Sequence, residues 1–223
     1  MHHEKLIIFD CDGVLVDTEL LSAHALSEYL QILGIVESAQ SLRKRYKARA
    51  FQYTIADLAK RYPNQITDHF ETHYRRHLYA LYRAKLQPIA GIKKALEKIN
   101  GKKCVASNAP KEKLDLVLQI TDLANFFPRN RVFSAYEIDS WKPAPGLFLH
   151  AAKTMDFSPR NSIVVEDSTI GVEAALKADM QCLYYDPENE NPEFTSPGVT
   201  RFHSMAQLPG LLTSLEVQNA RLA

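Results

Sequence analysis

Short apolar runs rich in β-branched and aromatic residues recur along the chain at 5–10, 102–107, 131–136, 162–166 and 181–186, with a weaker one at 201–202. Longer segments with helical spacing of their apolar positions separate them. Continuous apolar strands alternating with helices are the pattern of a parallel sheet covered on both faces. The expected fold class is therefore α/β, with a Rossmann-like parallel sheet as its core. Four of the runs end in, or lead directly into, polar residues, and ligands of open α/β sheets sit at the carboxyl ends of strands. Asp10, Asp12, Ser107, Asn108, Glu166 and Asp167 all fall at that edge.

Between the first and second runs the pattern reads as helix throughout: 20–33, 38–62 with a break near Lys47, and 67–86. A crossover between parallel strands needs far less chain. The spacing predicts a second, helical domain over 18–86, with 1–17 and 87–223 forming the sheet domain. The return segment 87–91 contains Pro88 and Gly91 and is expected to act as a hinge. No internal repeat or low-complexity segment interrupts this organisation.

Composition narrows the class without changing it. A chain of 223 residues can bury roughly 70% of its unfolded surface. Its 46% hydrophobic and 24% charged residues are those of an ordinary globular protein. With 27 Lys and Arg against 26 Asp and Glu, no global field draws it to nucleic acid or to an anionic membrane. Three cysteines, Cys11, Cys104 and Cys182, form no CxxC pair, which points to a reducing cytoplasm. The apolar run behind the N-terminus is broken at once by Asp10 and Asp12, so no signal peptide is expected. No stretch approaches the roughly 20 apolar residues that a membrane span needs.

The sharpest chemical signal is Phe9-Asp10-Cys11-Asp12-Gly13-Val14-Leu15-Val16-Asp17, an apolar strand ending in two carboxylates one residue apart and then a glycine. Alternation aims Asp10 and Asp12 to one side. Two close carboxylates repel each other, and an all-oxygen site favours a hard cation such as Mg²⁺. Gly13 lets the backbone turn its amides toward an anion. Standing alone, such a pair is equally compatible with a polar strand end or a helix cap.

The segment resembles the first motif, DxDGxLxD, of the haloacid dehalogenase superfamily, and further motifs follow in order. Val105-Ala106-Ser107-Asn108-Ala109 is similar to the second, Ser140-Trp141-Lys142-Pro143-Ala144-Pro145 to the third, and Val164-Val165-Glu166-Asp167-Ser168-Thr169-Ile170-Gly171 to the acidic fourth. The resemblance covers essentially the whole chain. It implies a phosphatase in which Asp10 is the nucleophile and Asp12 the general acid and base. Ser107 and the amide of Asn108 would hold phosphoryl oxygens, and Lys142 would neutralise charge. Mg²⁺ would be bound by Asp10, the Asp12 carbonyl, Asp167 and, beside them, Glu166. The presence of Asp12 sets the chain apart from relatives that cleave carbon–halogen or carbon–phosphorus bonds.

The helical segment is similar to the cap (C1 type) of the subgroup that contains β-phosphoglucomutase and the sugar phosphatases. Ser22 stands where the mutases carry a cap histidine, and Phe51 where they carry an arginine, and both departures favour hydrolysis over transfer. Lys47 and Arg49 are the expected substrate-binding cations of the cap, suited to an acidic sugar phosphate. The pattern around 9–17, 46–49 and 140–153 looks most like the family's bacterial 6-phosphogluconate phosphatases. The implied partner is a small phosphorylated metabolite, and a monomer is expected. A β-phosphoglucomutase-like mutase is the alternative within the family. A phospho-accepting signalling module is a more remote one, since it needs no long helical segment. His69, His73 and His77 recur every fourth residue, but their HxExH spacing matches no metal motif, and an exposed or packing stripe is the simpler reading.

Overall fold

The computed structural model describes residues 5–46, 51–190 and 195–220, the last five by their backbone alone. The chain divides into two compact units, Met1–Val16 with Pro88–Ala223, and Asp17–Gln87. The first is built on a sheet and the second is helical.

Six strands form the sheet: β1 (Leu6–Phe9), β2 (Lys102–Ser107), β3 (Val132–Ser134), β4 (Ser162–Glu166), β5 (Gln181–Tyr185) and β6 (Val199–Phe202). Their order is β3-β2-β1-β4-β5-β6 and every pairing is parallel. β1 therefore lies inside the sheet, with Phe9 in register with Val105 on one side and Val165 on the other. All four of its residues are buried, as a strand covered on both faces requires. Each such Leu, Ile or Phe contributes about 1.5–3 kcal/mol of burial free energy.

The helical unit contains α1 (Glu19–Ile32), α2 (Ala39–Tyr46), α3 (Phe51–Arg61) and α4 (Phe70–Lys85). Phe70, Tyr74, Leu78 and Tyr82 of α4 are buried at four-residue intervals, the apolar stripe that packs this helix on α1. The sheet unit carries α5 (Ile92–Lys98), α6 (Lys111–Ile120), α7 (Ala135–Ile138), α8 (Gly146–Thr154), α9 (Thr169–Lys177) and α10 (Leu208–Ala220). Among the described residues no helix is long and apolar enough to cross a membrane.

The expected α/β sheet is present, and two of its strands, 102–107 and 162–166, have the bounds read from the sequence. The run 131–136 does not. Strand β3 stops at Ser134, because Ser134 and Glu137 form a capping box that starts α7. The apolar Ala135 and Tyr136 thus belong to a helix. The helical segments 20–33 and 67–86 begin and end within a few residues of α1 and α4, and α2 and α3 lie within 38–62, with the expected break near Lys47 falling outside the described residues.

Candidate active site

The parallel register brings the carboxyl ends of β1, β2 and β4 to one edge of the sheet unit, and the polar residues that follow them meet there. Asp10 continues the ladder of β1, its amide donating to Val165 O at 2.9 Å, and it is only 7% exposed. Beyond it the chain turns sharply. Leu15 N and Val16 N both donate to Cys11 O, at 2.9 and 3.1 Å, and Gly13 N donates to Val16 O at 2.9 Å. Gly13 has φ of 79°, and a Cβ there would overlap the Asp167 carboxylate. Glycine is required twice over, for its backbone angle and for that close approach.

Lys142 is the centre of the cluster. Its ammonium donates to Asp10 Oδ1 at 2.6 Å and to Glu166 Oε1 at 2.7 Å, with its side chain 2% exposed. The face of the fully buried Phe148, 4.7 Å from Nζ, closes a further side. Glu166 is held in turn by Ser168, whose amide and hydroxyl donate to Oε2 at 2.8 and 2.9 Å. The same hydroxyl accepts from Gly171 N as the N-cap of α9, so one serine begins the helix and fixes the acid. A Cβ at Gly171 would overlap Glu166.

The end of β2 supplies Ser107, buried, whose hydroxyl accepts from Ala109 N at 3.3 Å. Asn108 clamps the loop that carries the lysine: its Oδ1 accepts from Lys142 N at 2.9 Å and its Nδ2 donates to Lys142 O at 3.3 Å. The Asn108 side chain thus has a positioning contact that its reading as a phosphate-binding residue did not include. Asp12 turns to another partner, with both its oxygens accepting from Lys113 Nζ at 2.8 and 2.7 Å.

Electrostatics follows from this count of charges. Burial pushes the Asp10 carboxyl up from 3.8 to about 7; Lys142 pulls it down, while Glu166 and Asp12 add to the rise. Burial works to lower the Lys142 pKa, but Asp10 and Glu166 overcome it and hold the ammonium above its usual range. The Cys11 thiol is raised by burial and then by Asp12 and Asp10, so it is a packed small residue and no nucleophile. Carboxylate oxygens of Asp10, Glu166 and Asp167 lie within 4.8 Å of one another. Three carboxylates this close, two of them on the Lys142 ammonium, form an all-oxygen set that suits a hard divalent cation.

Lys47 and Arg49 lie outside the described residues. Ser22 is hydrogen-bonded to the Tyr82 hydroxyl at 2.6 Å, and Phe51 stacks on Tyr74 at 4.7 Å beneath the Arg75 guanidinium, all within the helical unit. Neither offers the imidazole or guanidinium that a mutase uses. Among the described residues no group of three metal-ligating side chains includes His69, His73 or His77, and His77 pairs with Glu28 at 2.9 Å. Lys113, Ser168 and Phe148 were not singled out from sequence. Only Ser168 had a local signal, as the first residue of a Ser-x-x-Gly helix start.

A family model for haloacid dehalogenase-like hydrolases matches residues 4–179. The chain belongs to the haloacid dehalogenase-like hydrolases. It is 32% identical to the 6-phosphogluconate phosphatase of Escherichia coli K12, over 95% of this chain and 96% of that protein. It is 26% identical to the phosphorylated carbohydrates phosphatase of Thermotoga maritima, over 81% of this chain and 84% of that one. A solved haloacid dehalogenase-like protein from Agrobacterium tumefaciens superposes with a TM-score of 0.79 at 27% identity, covering 96% of this chain and 99% of that one. This hydrolase is an enzyme, a phosphatase.

Proposed function

We propose that this hydrolase is a Mg²⁺-dependent cytoplasmic phosphatase, acting as a monomer on a small sugar phosphate, 6-phosphogluconate first among them, through an aspartyl phosphate on Asp10. The observation that carries the reading is the Asp10 carboxylate at the buried end of β1, 2.6 Å from the Lys142 ammonium and grouped with Glu166 and Asp167. The substrate class rests on the similarity to the two carbohydrate-directed phosphatases.

In the first step an Asp10 oxygen attacks phosphorus, the phosphorus–ester oxygen bond breaks, and Asp12 gives its proton to the departing alkoxide. In the second, water attacks the phosphorus of the acyl phosphate and Asp12 takes the water's proton. The bond to Asp10 then breaks, releasing phosphate and restoring the carboxylate. Lys142 offsets charge on the transferring group, and Ser107 with the Asn108 amide holds its remaining oxygens. Asp10, Asp167, the Asp12 carbonyl and Glu166 would hold Mg²⁺, which when bound supplies positive charge to the phosphoryl oxygens. Gly13 and Gly171 fit that role, since each leaves room for one of the acids.

Residues 18–86 are assigned as the cap domain, with 1–17 and 87–223 as the catalytic domain, and Lys47 and Arg49 as the cations that read an acidic substrate. The cap assignments rest on sequence resemblance. Hydrolysis is favoured over transfer because Ser22 and Phe51 are occupied by packing and hydrogen bonding in the helical unit. Phosphate release from a panel of sugar and acid-sugar phosphates with Mg²⁺ tests the reading, alongside Asp10→Asn and Asp12→Asn. The expected result is a lead for 6-phosphogluconate and two inactive variants. Turnover by Asp10→Asn, or none by wild type on any phosphoester, would overturn it.

A further inference from the structure

Lys113 has no part in the four motifs, yet it makes both of the hydrogen bonds given above for the Asp12 carboxylate. It lies in the first turn of α6, which begins directly after the Ser107–Ala109 strand end, and it reaches a residue 101 positions earlier in the chain. The pair differs from the exposed lysine–carboxylate pairs of the sheet unit. Lys93–Asp122 and Lys177–Glu173 are largely exposed, whereas the Lys113 side chain is 13% exposed and Asp12 30%. Exposed pairs of that kind hold neither partner in one geometry, but a half-buried contact to both oxygens does.

What the contact fixes follows from the turn. The backbone of 11–16 is already closed by the hydrogen bonds to Cys11 O and Val16 O, so the remaining freedom of Asp12 is in its side-chain torsions. Without a cation beside it, a carboxylate two residues from Asp10, in the field of Glu166 and Asp167, would swing toward water. We propose that Lys113 is a positioning residue that holds the Asp12 carboxylate in the orientation from which it takes a proton from the attacking water. Helix α6, which starts four residues after Ser107, thereby sets the geometry of proton transfer. This rests on the reading of Asp12 as the proton donor and acceptor.

Misplacing a reacting group by about 1 Å costs on the order of 10²-fold in rate. Lys113→Met keeps the unbranched stem, one atom shorter, and removes the charge. It should lower kcat by about 10- to 100-fold on the best substrate of the panel while KM changes by less than about threefold. Lys113→Arg, which keeps a cation on a long stem, should recover most of the loss. Thermal melts of both variants identify any that fail to fold, and Lys113→Gln serves as a second neutral variant in that event.

Four results would overturn the proposal. The first is an unchanged kcat in the neutral variants. The second is a raised KM with kcat intact, which would make Lys113 a substrate contact. The third is an equal loss in Lys113→Arg, tracking a lowered melting temperature. The fourth is an Asp12→Asn enzyme that keeps its activity, which removes the premise; an inactive Asp12→Asn beside a normal Lys113→Met removes the positioning role alone.

Discussion

Two ionic clusters, one in each unit, use the same kinds of side chain to opposite ends. In the helical unit Glu37 accepts from Arg45 at 3.1 Å, from the Tyr62 hydroxyl at 2.8 Å, and from Arg61. One acid is served by two guanidinium groups and a phenol. Burial works to raise its pKa, but the hydrogen bonds from Tyr62, Arg61 and Arg45 bring it below the usual value. At the sheet edge the proportion is inverted: one ammonium serves Asp10 and Glu166, with Asp167 beside them, and Asp10 is driven up to about 7. A saturated acid is a staple that asks for nothing more. A cluster short of positive charge is a place for a cation and for a charged substrate. The sign of the imbalance, more than the presence of charged residues, separates a site from a structural contact.

The largest effect that sharpens this contrast is on turnover. Asp10→Asn should lower the rate by on the order of 10⁴-fold or more, since it removes the nucleophile. Its metal-free melting temperature should be equal to or above that of wild type, because one of the competing acids has become neutral. Phosphate release and a melt on the same sample check both halves. Lys142→Met makes the opposite change and takes from Asp10 and Glu166 the ammonium that both contact. Removing one partner of a buried pair costs about 3–5 kcal/mol, so denaturant unfolding should show a loss of that size, reduced when Mg²⁺ is added. Glu37→Gln should cost about 1 kcal/mol and leave the affinity for Mg²⁺ unchanged in calorimetric titration. An equal loss from Glu37→Gln and Lys142→Met would break the distinction between staple and site.

A further effect is in the pH dependence. The Asp10 carboxyl is raised in the folded protein, so between about 4 and 7 the folded state holds a proton that the unfolded chain has released. The associated stability is complete below the unfolded value and is lost as pH rises toward 7. With a chelator present, wild type should therefore lose stability between pH 5 and pH 7. Asp10→Asn should lack this component. Glu37, lowered in the fold, contributes stability that is lost only as pH falls below the usual glutamate range, and it adds no slope in that window. Urea midpoints of wild type and Asp10→Asn across the window check the sign.

The contrast also explains what could be read from sequence. The buried strands announced themselves because both faces are covered, which makes 102–107 and 162–166 continuous apolar runs with polar ends. The overrun at 131–136 was avoidable: Ser134-Ala135-Tyr136-Glu137 is a capping box written in four residues, and its apolar middle disguised it as strand. Asp10, Glu166 and Asp167 stood out because each ends or follows a strand, and Lys142 because of its place in a motif. Lys113 did not, since a lysine in the first turn of α6 has the appearance of a solvated charge and its partner lies 101 residues away. Phe148 was equally hidden, as an apolar residue on an apolar helix face whose ring happens to meet Nζ of Lys142. Local pattern reports strands and caps; contacts across the sheet edge come only from the fold.

The central claim, that the phosphoryl group passes through Asp10, is tested most directly by acid-quenching the wild-type enzyme during turnover and mapping its peptides by mass spectrometry, with Asp10→Asn in parallel. The account predicts a phosphoryl group on the Asp10 carboxylate in wild type, and neither adduct nor turnover in the variant. A phosphoryl group on any other side chain, or steady turnover by Asp10→Asn, would contradict it.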